Sequence, residues 1–146
     1  MAITQALANS FKKELLEAEH NFKQTGGDKF KIALYTSSAT LNSATTSFTT
    51  TNEVANSGQY ASGGGALSNL GTSIASGVAI VDYADRSFTG VTLTARGALI
   101  YNTSATVANA AVAALDFEAD KTATSGTFTI QFPAFTTAAA ILRISG

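Results

Sequence analysis

Cysteine and tryptophan are absent from this chain, and histidine, proline and methionine occur once each. Without cysteine there is no disulfide framework, no thiolate zinc site and no thiol nucleophile. A single histidine leaves little material for a metal centre or for acid–base chemistry near neutral pH. Charge is scarce too: Asp, Glu, Lys and Arg make up 13% of the 146 residues, about half the usual ~25% of a soluble domain. The 9 basic and 10 acidic residues nearly cancel, to a net −1, which excludes the electrostatic footprint of a DNA-, RNA- or anionic-lipid-binding protein. No apolar run approaches the ~20 residues of a membrane-spanning helix. The opening residues, with polar Thr4, Gln5 and Asn9 and no basic residue, do not read as a secretory leader.

What is present is 45% apolar and 9% aromatic residues, enough for one globular domain over residues 1–146. Ile3, Leu7, Phe11, Leu15, Ala18 and Phe22 recur at spacings of four and three, which predicts an amphipathic helix over residues 3–24. Thr4 is the expected cap, Lys13–Glu17 and Glu19–Lys23 the expected i,i+4 ion pairs, and Gly26–Gly27 the stop. His20 would then lie late in this helix, where the dipole favours its cation.

After the glycines the period changes to two, and residues 29–146 read as a β domain. Lys29 to Thr36 alternates, with Phe30, Ile32 and Leu34 on one face. Further strands are expected at Val78–Tyr83, Ser87–Thr94, Gly97–Tyr101, Val112–Phe117, Thr127–Phe132 and Ala139–Ile144, with Pro133 ending the strand before it. About seven short strands and one helix predict a mainly-β fold, an antiparallel sandwich or barrel. Residues 37–76 differ in composition, being rich in Thr, Ser, Ala, Asn and Gly. From Ile32 to Val81 the only charge is Glu53. Long ordered loops with short strands, packed by Phe48, Val54 and Tyr60, are the expectation there.

Few residues offer chemistry. Ser62-Gly63-Gly64-Gly65 lacks the Gly-Lys-Ser/Thr of a phosphate loop and reads as a turn. Asp116, Glu118 and Asp120 would share one face of a strand, a partial calcium ligand set without the loop glycine; a solvated strand face is the simpler reading. Asp82 and Asp85 precede Arg86 in an expected turn. Arg96, between apolar strands, needs a partner such as Asp82, Asp116 or a neighbouring chain. With no Gly-x-Ser-x-Gly elbow and no metal or cofactor motif, neither an enzyme nor a cofactor protein is expected.

The order of these segments resembles a family of small virion proteins encoded in tailed-bacteriophage genomes. The residues that carry the likeness are Met1–Ala6 with Phe11–Phe22, Phe30–Thr36 and Thr51–Val54 with Gly58, Tyr60 and Gly63–Gly64. To these are added Thr94–Asn102, Leu115–Phe117 with Asp120–Lys121, and Gly126–Pro133. The resemblance implies a non-enzymatic virion component, made in the host bacterial cytoplasm. Its first expected placement is a capsid decoration (cement) protein bound to the major capsid protein as a homo-oligomer, a trimer being the expected form. Tail, collar or fibre-base placement is the alternative, and a host-surface-binding module a third. The expected contact residues are Phe22, Phe48, Val54, Tyr60 and Leu67, in or beside the nearly uncharged zone. The competing reading is that Phe48 and Tyr60 close the domain's own core.

Overall fold

The computed structural model describes residues 2–146. Its elements in chain order are β1 (Ala6–Leu7), α1 (Asn9–Leu16), β2 (Phe30–Tyr35), β3 (Gly65–Ala66), β4 (Asn69–Ala75), β5 (Val78–Tyr83), β6 (Arg86–Asn102), β7 (Ala110–Ile130) and β8 (Leu142–Ser145). They form two antiparallel sheets, ordered β1-β7-β6-β2-β3 and β4-β5-β8. The fold is therefore mainly β and a sandwich, as the sequence pattern predicts. Val81, Tyr83 and Leu142 of the small sheet meet Leu7, Ile100, Val112 and Phe22 across a nearly filled crevice of about 10 Å³. Phe30 stacks on Phe22 at 4.7 Å and tilts against Tyr83 at 5.7 Å, which ties the two layers together.

Two corrections to the expected elements have local causes. The helix runs over Asn9–Leu16 rather than 3–24. Ile3 instead bridges Leu41, and Ala6–Leu7 pairs with Ala113–Ala114 of β7. The apolar spacing of four from Ile3 to Leu7 to Phe11 keeps one face in a strand as well as in a helix, so it suits both. The helix stops at Ala18, at φ +61, where Ala18 N–H donates to Leu15 C=O and Glu19 N–H to Glu14 C=O. That bond pair is a Schellman motif, with alanine where glycine is usual. The Lys13–Glu17 ion pair forms at 3.0 Å. Glu19 lies past the helix end and accepts from Thr106 instead of pairing with Lys23.

The second correction concerns strand length. The expected strands Ser87–Thr94 and Gly97–Tyr101 are one strand, β6, and Val112–Phe117 and Thr127–Phe132 both fall largely within β7. The two pair from Arg86↔Ile130 to Asn102↔Ala110. Breaks in periodicity that resemble turns are bulges: the register shifts at Phe88/Val91, Val91/Leu93 and Ala95/Gly97, with Glu118 at φ +69 and Ser125 at φ +44. They curl the ribbon enough that Phe117 and Phe128, eleven positions apart on β7, have ring centroids only 6.1 Å apart; fully extended, that stretch would span ~36 Å.

Candidate contact surface

Glu53, the lone charge of the neutral zone, is the centre of the best-formed polar cluster. Its carboxylate accepts from Tyr60 Oη at 2.8 Å, Ser62 Oγ at 2.8 Å and Gly63 N–H at 2.7 Å. Tyr60 Oη in turn accepts Leu34 N–H at 2.8 Å, and Tyr101 Oη donates to Gly63 C=O. β3 covers β2 only at Lys31 and Ile32, so beyond it the Tyr60 hydroxyl takes the place of a neighbouring strand's carbonyl. Gly64 sits at φ +80, and a Cβ there would stand 1.8 Å from Ile32 C=O. The glycine run is thus a turn, as its sequence suggests. The loop donors that could cradle an anion are already spent: Ser62 Oγ and Gly63 N–H on Glu53, Ser62 N–H on Asn56 Oδ1 and Gly64 N–H on Ala61 C=O. Burial, together with the Glu53 charge, raises the pKa of Tyr35 and Tyr60 above the usual tyrosine value and pushes Tyr101 up to about 12. These phenols stay protonated and act as donors, not bases.

The single histidine is equally occupied. His20 is buried beyond the helix, not on it. Its Nε2 lies 3.0 Å from Glu14 Oε1, and Asn102 Nδ2 donates to Nδ1 at 2.9 Å and to Asp28 Oδ2 at 2.8 Å. Asn102 Oδ1 accepts Ser104 N–H and Ala105 N–H, which fixes the amide's orientation. Nδ1 is therefore an acceptor and the ring proton sits on Nε2, directed at Glu14. The network ties residues 14–28 to the end of β6.

The acidic trio does not share a face, because the alternation breaks at the Glu118 bulge. Asp116 Oδ1 accepts Glu118 N–H and Arg96 Nε, the latter at 3.1 Å, and these bonds hold its pKa below the usual value. Asp116 is thus the partner of Arg96 that the sequence calls for. Arg86 pairs with neither Asp82 nor Asp85; its guanidinium lies 4.7 Å from the Phe88 ring centroid, beside Gly65. Asp85 accepts Phe132 N–H. Asp82 is fully buried, with Oδ1 on Tyr83 N–H and Oδ2 without a partner among the described residues.

The five expected contact residues lie mostly inside. Val54, Tyr60 and Leu67 are buried in the core, and Phe48, half-buried, stacks on Tyr101 at 4.7 Å. They close the chain's own core, which the apolar identity of each permits equally well. Phe22 is also buried, yet it lines an apolar groove of about 190 Å³ with Leu15, Ala79, Val81, Leu142 and Ile144.

That groove marks an uncovered surface that the sequence did not single out. Ile74, Ala79 and Ile144 are register partners across β4, β5 and β8, one row beyond Thr72, Val81 and Leu142. Both rows share a face, since residues two apart on a strand do. Val81 and Leu142 of the inner row enter the core, whereas Thr72 is exposed and Ile74 stays 73% and Ile144 54% exposed. Leu16, next to the groove-lining Leu15, is 90% exposed. Burying one such side chain is worth roughly 1.5–3 kcal/mol, so a partner covering the row gains several side chains' worth. A second, open concavity of about 380 Å³ lies on β7, lined by Phe117, Lys121, Ala123, Phe128 and Ile130.

No family model, curated protein or solved structure matches the chain. Among the described residues no helix is long and apolar enough to cross a membrane.

Proposed function

We propose that this chain is a structural protein of a tailed-phage virion, a capsid decoration (cement) protein that binds the head lattice and stabilises it. The observation that carries the reading is the uncovered apolar row Ile74–Ala79–Ile144, continuous with the groove lined by Leu15 and Phe22, a surface suited to covering by protein. The resemblance of the chain's segments to small virion proteins supplies the setting. The polar clusters fit a structural role: Ser62 and Glu53 tie one loop together, and His20 joins the helix residue Glu14 to Asn102 at the end of β6.

Quantifying the chain in purified virions tests this. A copy number comparable with that of the major capsid protein is expected, and particles lacking the chain should keep their tails while losing heat tolerance. A copy number matching a tail ring would overturn the cement role in favour of a tail or collar component. Absence from the particle would overturn the virion reading altogether.

A further inference from the structure

β4 is an edge strand, paired only with β5. The loop between them is Ser76–Gly77, two residues with φ of +52 and +76. Positive φ at both positions defines a type I′ turn. In such a hairpin the flanking residues, Ala75 and Val78, exchange both main-chain hydrogen bonds, and bonded pairs then alternate along the ladder. Ser73 bonds Ile80 in the same way. Thr72 and Ile74 have the other parity, so their N–H and C=O groups point to the open edge. Among the described residues no loop or side chain bonds them there.

Open edges in folded proteins are usually guarded by lysine, proline or an inward-pointing charge. β4 reads Asn-Leu-Gly-Thr-Ser-Ile-Ala and has none of these. Its one irregularity, the shift between Asn69 and Gly71, lies at the far end, where Asn69 Nδ2 donates to Lys23 C=O. Ser73 to Ala75 is clear of it, and Thr72 borders an open concavity with Asn21, Phe22 and Lys23.

From this edge we infer that β4 pairs antiparallel with β4 of a second copy about a twofold axis, joining two three-stranded sheets into one of six strands. Bonding Thr72 of each copy to Ile74 of the other centres the register on Ser73. The pairing is isologous, so the surface must complement itself. β4 carries no charge to repel its own copy and none to select an oppositely charged partner. The same register sets Ile74 beside Thr72 of the second copy, on the face that already holds Ala79 and Ile144. The contact satisfies the open edge and gives Ile74 a neighbour on its exposed side, while Ala79 and Ile144, one and two strands further in, stay open on the face. The inference rests on the open edge of β4, not on the virion assignment.

The purified full chain tests it by size-exclusion chromatography with light scattering over a range of concentrations. The expected mass is twice the monomer's 14.9 kDa. Ile74→Lys should give a monomer with an unchanged far-ultraviolet spectrum, because Ile74 takes no part in the β4–β5 hydrogen bonds. Adding Thr72→Glu should restore the dimer, since the register sets the new carboxylate against the second copy's new ammonium. Ser73→Cys supplies a readout that needs no loss of function. Opposed residues of a non-bonded pair have Cα atoms ~4.5 Å apart, within disulfide reach, and the chain has no other cysteine. Oxidation should give a covalent dimer. A monomer at every concentration with no cross-link overturns the inference. So does a dimer that survives Ile74→Lys and fails to cross-link, which puts the contact elsewhere. If Ile74→Lys does not fold, the Ser73→Cys result decides alone. A cross-linked dimer of a chain absent from virions would defeat the virion reading and leave this one standing.

Discussion

Tyr60 shows how one side chain can stand in for a strand. Its ring is buried against Phe88 at 5.1 Å, while its hydroxyl joins Leu34 N–H to the Glu53 carboxylate. Tyr60→Phe keeps the ring and removes only that joint. Leu34 N–H is then left buried without an acceptor, at a cost of about 1–3 kcal/mol. Urea unfolding should show a lower midpoint at an unchanged slope. Ser62→Ala removes an exposed donor to the same carboxylate and should cost less. A midpoint unmoved by Tyr60→Phe would mean that the hydroxyl does not hold this end of β2. The sequence offers Tyr60, Val54 and Glu53 as neighbours in a neutral stretch, but not their inward direction. Sparse apolar residues among Thr and Ser have no period from which burial could be read.

At the scale of elements, legibility follows how local the cause is. β5 falls at Val78–Tyr83, as alternation predicts, and β2 within one residue of its expected ends. The lengths of β6 and β7 were not legible, because bulges interrupt a strand's period just as turns do. The candidate surface was hidden for a related reason. Ile74 and Ile144 look like core residues in sequence, but they lie one register row beyond Val81 and Leu142, the last of their face to be buried. The helix end was misplaced because its signal sits on an unexpected residue: Ala18 holds the left-handed cap position at φ +61, while the glycines lie further on at Gly26 and Gly27. A left-handed non-glycine residue costs ~1–2 kcal/mol. Ala18→Gly should therefore stabilise the protein by about 1 kcal/mol, seen as a raised midpoint in chemical unfolding, with slower hydrogen exchange at Glu19 N–H. Destabilisation by that change would show that the Schellman bonds do not set the helix end.

For the whole molecule, few charges mean that single buried ones shape its response to pH. Burial raises the Asp82 pKa above its ordinary 3.8, the backbone N–H groups of Tyr83 and Ile141 oppose it, and Asp85 adds a smaller rise. Hydrogen bonds from Glu118 N–H and Arg96 lower that of Asp116, and the Thr106 hydroxyl lowers that of Glu19 below its ordinary 4.5. The two sets act with opposite sign. The stabilisation linked to Asp82 is complete below 3.8 and is lost as pH rises through its elevated folded value. That linked to Asp116 and Glu19 is present above 3.8 and 4.5 respectively and is lost as pH falls through their depressed folded values. Asp82 thus favours the acidic side of its raised folded value, and Asp116 and Glu19 the alkaline side of their lowered ones. Asp82→Asn keeps an oxygen for Tyr83 N–H and cannot ionise. It should be more stable than the parent at neutral pH, by about 1–3 kcal/mol for removing a buried charge only partly met by hydrogen bonds, and should remove the Asp82-linked dependence on pH. Urea midpoints for both proteins from pH 3.8, the ordinary aspartate value, up through neutrality decide it. Parallel curves would show that Asp82 does not set the slope, and that the small sheet carries its buried carboxyl at no cost in pH tolerance.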